Sequence, residues 1–211
     1  MFYANKIIRV SQYLVLFGFC LIANAQSFVE GQHYTVLESP ISAEPNELIE
    51  FFSFSCPGCY AIEPSLQRLV ENQPGLNLRR VHAPFGGKNA KYAQKAFVIM
   101  ALLGEDNRKQ LIFDRIHQQR NTFDSDQELI AYFTEFGHTE SAVAGNLHSF
   151  SADAMIRKMN KELINNKITA VPTLIWAGKY QINLQALADL SALNELVRYL
   201  ITLDSPSDLR G

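Results

Sequence analysis

Cysteine is scarce in this chain of 211 residues: there are three, Cys20, Cys56 and Cys59. Repeats and low-complexity tracts are missing, which excludes solenoid and array architectures. Neither sign of charge dominates, with 19 Lys and Arg against 21 Asp and Glu. No basic stripe forms, and the adjacent pair Arg79-Arg80 is too small to make one, so nucleic acid is excluded as a partner. The apolar run over residues 13–25 is also too short, at 13 residues, for the ~20 that a membrane-spanning helix needs.

That short run has the layout of an export leader. Lys6 and Arg9 precede it and Ala23-Asn24-Ala25 closes it with small residues at the cleavage positions, which predicts removal of residues 1–25 after Ala25. An uncleaved anchor is the rival reading, against which the length argues. A lipoprotein site at Cys20 is disfavoured by the bulky Phe19 before it. The remaining 186 residues suit one domain, with room for an insertion, and carry a net charge of −4. They also hold only Cys56 and Cys59. A disulfide between these two encloses two residues, and closing so short a loop stabilises little. Chemistry accounts for the pair better than stapling does.

The order of elements is legible. Residues 32–37 read as a short strand and 38–46, with Pro40 and Pro45, as a loop. Residues 48–54 are apolar on both parities apart from Glu50 and Ser53, as in a central strand covered on both faces. A helix follows, with Pro57 in its first turn and Pro64 inside it, where a kink is expected. Residues 76–81 alternate as a strand. After Gly86-Gly87 come some 75 helical residues: 91–103, 108–119, a segment opened by the capping box of Ser125 and Glu128, 140–149 and 152–166. Strand character returns at 173–176, a tight turn is expected at Gly178-Lys179, and residues 180–183 and a helix over 191–201 close the chain before a frayed tail at 204–207. The fold class is therefore α/β: a small mixed sheet interrupted by an all-helical insertion.

Cys56 and Cys59 fall where the central strand gives way to the first helix. Positions i and i+3 share a helix face, close enough for a disulfide, and the arrangement reads as a thiol–disulfide redox centre. Cys56 precedes the first helical turn, where the N–H groups of Gly58 and Cys59 and the helix dipole favour a thiolate. Cys59, one turn in, is the more buried, resolving thiol. The competing use is a metal site, for which the ligands fall short: a structural zinc takes about four, and His33, His82, His117, His138 and His148 show no ligand spacing. The histidines within the helical block are expected to be solvated or capping. Glu50 shares its strand parity with Leu48, Phe52 and Phe54. A carboxyl among such neighbours is costly unless protonated or paired, which makes it either a proton carrier for Cys59 or an ordinary ion-paired acid, with Arg80 as the candidate partner.

Taken together, Glu50-Phe51-Phe52-Ser53-Phe54, Cys56-Pro57-Gly58-Cys59-Tyr60, Ala170-Val171-Pro172-Thr173-Leu174 and Gly178-Lys179-Tyr180-Gln181-Ile182-Asn183 resemble the DsbA family of exported thiol:disulfide oxidoreductases. The resemblance implies a thioredoxin-like fold, with residues 26–85 and 167–211 forming that domain and 86–166 the helical insertion. It implies Cys56 as nucleophile, Cys59 as buried partner, Pro57 and Gly58 as the residues that tune the couple, Pro64 as a helix kink and Glu50 as the buried acid of proton transfer. It makes Val171–Pro172 a cis bond, with the Val171 backbone free to pair with an extended substrate. It further implies a periplasmic monomer without cofactor or metal, acting on unfolded or reduced exported proteins and reoxidised by a quinone-linked membrane protein of the DsbB type. One position departs from the family, whose commonest dipeptide between the cysteines is Pro-His. Gly58 in place of that histidine keeps isomerase or reductase action open beside oxidase action. Glutathione-dependent enzymes on a similar scaffold and a metal or peptide carrier are the more distant alternatives.

Overall fold

The computed structural model describes residues 27–189 and 191–204; the expected leader over 1–25, Cys20 within it and residues 205–207 of the tail lie outside them. Five strands form one sheet in the order β1-β5-β4-β2-β3. The strands are β1 (Tyr34–Val36), β2 (Glu47–Phe52), β3 (Asn77–His82), β4 (Thr173–Trp176) and β5 (Tyr180–Ile182). Only β2 and β3 run parallel, and α1 (Pro57–Asn72) connects them, because parallel neighbours need a crossover rather than a hairpin. The remaining pairs are antiparallel. Every residue of β2 is buried, Glu47 and Glu50 included, as expected for a central strand that is apolar on both parities apart from its acids. The strand stops at Phe52, two residues before the expected end, because Ser53 turns the chain.

Between β3 and β4 lie α2 (Ala90–Leu102), a 3-10 turn at Asp106–Arg108, α3 (Lys109–His117), α4 (Asp126–Thr134), α5 (Glu140–Leu147) and α6 (Phe150–Asn165). Ser125 caps α4 as its spacing from Glu128 implied: its Oγ accepts the Glu128 N–H at 3.2 Å, while the Glu128 carboxylate accepts the Asp124 N–H at 3.0 Å. After β5 the described residues close with α7 (Ala192–Asp204). Helix α1 runs through Pro64 without interruption. The β4–β5 turn is centred one residue earlier than expected. Ala177 and Gly178 carry the positive φ values, 49° and 68°, and Lys179 N–H closes the turn on Trp176 O at 2.9 Å. Gly178 has a second constraint, since a Cβ there would lie 2.1 Å from Ile41 O.

The two faces of the sheet explain where the site falls. Ile49, Phe51 and Ile175 pack with Val81, Val98 and Leu163. On the other parity Leu48 joins Leu66, Leu69, Trp176, Leu196 and Leu200 beneath α1 and α7. Phe52 and Phe54 instead join Cys59, Phe113 and Phe133 in a core shared with the insertion. Glu50, between Leu48 and Phe52, stands at the seam of these two cores.

Candidate active site at the first turn of helix α1

Ser53 builds the bend that delivers Cys56 to the head of α1. Its hydroxyl donates to Phe85 O at 2.8 Å and accepts the Ser55 N–H at 3.2 Å. Its carbonyl accepts the Cys56 N–H at 3.0 Å. Cys56 is then the N-cap, extended at φ −93° and ψ 116°, with Pro57 starting the helix. Proline costs nothing there, since the first N–H groups of a helix have no intrahelical partner. The only sign of this bend in the sequence was a serine inside an otherwise apolar strand.

The two sulfurs, both free thiols, occupy unlike surroundings. Cys56 is half-buried and its Sγ accepts the Cys59 N–H at 3.3 Å. Its thiol is pulled down from 9.0 to about 6: the Cys59 thiol hydrogen-bonds to it, and the N–H groups of Cys59 and Gly58 add to that effect against the opposing cost of burial. Cys59 has no exposed surface. The same sulfur–sulfur hydrogen bond, followed by burial, drives its thiol well above the ordinary value. A pair so divided has one sulfur that ionises readily and one that holds its proton.

Val171–Pro172 is cis and faces the pair. The Cys56 thiol lies 3.4 Å from Val171 O, in donor geometry. Gly58 sits directly against the proline, where a Cβ would come within 3.2 Å of Pro172 Cδ. The structure thus brings together Cys56, Cys59, Pro57, Gly58, Val171 and Pro172.

Behind Cys59 lies a buried group of charges. Glu50 Oε2 accepts from Arg80 Nε at 2.7 Å, the pairing the sequence had left open. Burial raises the Glu50 carboxyl to about 7; Arg80 opposes that rise and the nearby Glu63 adds to it. Glu50 Oε1 has no hydrogen-bond partner, and the charge of Glu50 acts on Cys59. Sequence reasoning missed Glu63 and Lys109. Glu63, fully buried on α1, is four residues after Cys59 and so on the same helix face, a signal that could have been read. Lys109 Nζ reaches Glu63 Oε1 at 2.7 Å from the insertion, and no sequence spacing indicates that.

Two histidines also lie against the strand end, and the one from the helical block departs from expectation. His117 is half-buried rather than fully solvated: it stacks on Tyr60 with centroids 4.8 Å apart and lies 2.8 Å from Phe54 O. His82, fully buried, accepts the Phe54 N–H at 3.0 Å, and burial lowers it to about 3, so it stays neutral. Among the described residues no group of three or more His, Cys, Asp or Glu is placed to hold a metal ion.

Comparison with known proteins agrees with this fold. DsbA from Pectobacterium carotovorum, a thiol:disulfide interchange protein, is 29% identical over 193 residues, covering 85% of this chain and 91% of its own. The protein of the same name from Pseudomonas aeruginosa is 26% identical over 190 residues, covering 88% and 89%. The crystal structure of Pseudomonas aeruginosa DsbA superposes with a TM-score of 0.74 at 25% identity, over 84% of this chain and 94% of that one. Proteus mirabilis DsbA, solved with a non-covalently bound peptide, shares the fold with a TM-score of 0.71 at 22% identity, over 83% and 99%. The model of the DsbA-like thioredoxin domain matches residues 47–198. With that match running from the buried central strand into the closing helix, the chain belongs to the DsbA-like thioredoxin domain family.

Proposed function

We propose that this thiol:disulfide oxidoreductase works through Cys56 and Cys59, and that its oxidised form hands their disulfide to substrate proteins. A substrate thiolate attacks Cys56 Sγ, the only one of the two sulfurs open to solvent. The Cys56–Cys59 bond breaks as the new sulfur–sulfur bond forms, and Cys59 leaves as a thiolate. A buried thiolate is costly, and the Glu50 carboxyl, raised to about 7 and so protonated in about half of the molecules at neutral pH, is placed to neutralise it. A second substrate thiolate then attacks the substrate sulfur of the mixed disulfide. Cys56 departs as a stabilised thiolate. The substrate has lost two electrons and the enzyme has gained them.

The observation that carries this reading is the asymmetry of the pair: an N-capping sulfur held by the Cys59 N–H at 3.3 Å against a neighbour with no exposed surface. A low thiol pKa at Cys56 makes it a good leaving group and favours the reduced dithiol, which is what an oxidant needs. The backbone of Val171 and the ring of Pro172 form the substrate platform, where main-chain pairing tolerates many sequences. The peptide bound non-covalently by the Proteus mirabilis relative supports peptide substrates for this chain. Residues 26–85 and 167–211 form the redox domain and 86–166 the insertion. With residues 1–25 as its leader the chain works in the periplasm on reduced exported proteins, and a quinone-linked membrane partner of the DsbB type restores the disulfide.

Cys56→Ser tests the reading in oxidative refolding of reduced, unfolded RNase. Activity falls to the uncatalysed background. Undiminished oxidation by the folded variant ends the proposal.

A further inference from the structure

Lys109 is the residue that this reaction leaves unexplained. Lysine is almost never buried without a partner, and Lys109 is only 6% exposed. It opens α3 in the insertion, yet its ammonium ends on Glu63 of α1 at 2.7 Å. Glu63 in turn lies 3.3 Å from Arg80 Nη2, whose guanidinium reaches Glu50 through Nε at 2.7 Å. The charges alternate in sign from the insertion to Glu50. A cleft of about 250 Å³ between β3 and the insertion, lined by Leu78, Arg80, Phe97, Met100, Asp106 and Lys109, meets the cationic end. Glu50 at the other end is sealed.

We propose that Lys109 is a positioning residue for the redox reaction: through Glu63 and Arg80 it sets how readily Glu50 ionises, and so how readily Cys59 exchanges its proton. The inference rests on the reading of Glu50 as the proton carrier for Cys59. The groups facing Glu50 are Arg80 from β3, Glu63 and Cys59 from α1 and Lys109 from α3, with the apolar Leu174 opposite on β4. With both cations present, ionised Glu50 and Glu63 are balanced two against two. Without Lys109, Arg80 alone faces both carboxylates, and the electrostatic cost of ionising Glu50 rises. When the Glu50 proton passes to the Cys59 thiolate, the negative charge moves from sulfur to carboxylate. Lys109 stabilises that product state from the far side of Glu63.

Neutral and charge-retaining variants separate this role from packing. Lys109→Gln removes the charge and keeps a donor for Glu63, while Lys109→Arg keeps both. Carbon-13 NMR of labelled glutamate carboxyls in the reduced protein follows Glu50, identified by the signal lost in Glu50→Gln. Its midpoint, near 7 in the unaltered protein, rises by about one pH unit in Lys109→Gln, roughly a tenfold change in ionisation constant. Lys109→Arg restores it. The pH profile for reduction of the disulfide by dithiothreitol moves in the same direction, and the Gln substitution no longer moves it once Glu50→Gln is present. An unmoved Glu50 midpoint in folded Lys109→Gln overturns the proposal. Should that variant not fold, Lys109→Met replaces it under the same criterion, and a midpoint displaced in Lys109→Arg as far as in the neutral variant also counts against it. The carboxyl titration needs no turnover, so it stands or falls apart from the role of Cys56 as attacking sulfur.

Discussion

Titrating the Cys56 thiol puts the central premise to a direct measurement. The structure places its midpoint at about 6, from an ordinary 9.0. At pH 7 that difference leaves roughly nine-tenths of the sulfur ionised, against about one-hundredth for an unperturbed thiol. The cause is divided, and the division can be tested. The Cys59 thiol contributes most, and the N–H groups of Cys59 and Gly58 contribute less. Cys59→Ala therefore moves the midpoint upward, because the largest lowering contribution leaves with the Cys59 thiol while the cost of burial remains. The same ionisation links pH to the stability of the reduced protein. A folded-state value below the unfolded one contributes nothing at pH well under 6, grows as pH rises through 6 and is complete above about 9. At pH 7 the difference is about 1.4 kcal/mol before screening, and for a half-exposed sulfur it falls below about 1 kcal/mol. Thiolate absorbance in the reduced protein, and the pH dependence of its alkylation by iodoacetamide, report the midpoint; urea unfolding of the reduced form at pH 5 and pH 8, taken as a difference from Cys56→Ser, reports the linkage apart from Glu50 and His82, which titrate in both proteins. A midpoint close to 9, with the same pH dependence of stability in Cys56→Ser as in the unaltered reduced protein, would refute the reasoning.

Glu63→Ala leaves Lys109 and Arg80 facing a site without its shared carboxylate, since Glu63 is fully buried and touches both. Breaking a buried ion pair from one side costs about 3–5 kcal/mol, and a loss under about 1 kcal/mol in urea unfolding would contradict the burial of this cluster. Gly86→Ala combines a φ of 109° with a Cβ only 2.6 Å from the Cβ of Ser55. The backbone strain alone is worth about 1–3 kcal/mol, and the displaced loop carries the Phe85 carbonyl that anchors Ser53. Both the unfolding midpoint and the refolding activity on reduced RNase fall in this variant; neither would change if the loop could move away freely.

The sequence by itself determined the fold class, the position of the insertion and the sulfur pair, because each rests on signals local in the chain. Apolar runs, a capping box, a proline after Cys56 and glycines at breaks act within a few residues of one another. The unequal burial of Cys56 and Cys59 was legible because it follows from helix position. The expected turn at Gly178-Lys179 failed by one residue because both Ala177 and Gly178 take positive φ, and alanine gives no warning of that. What only the tertiary structure decided is the charge chain behind Cys59. The pairing of Glu50 with Arg80 needed the β2–β3 register. Lys109 needed the docking of α3 on α1, made across a separation of 46 residues between Lys109 and Glu63. Charged side chains act through space, and spacing along the chain carries no record of which of them meet in a shared, dry interior.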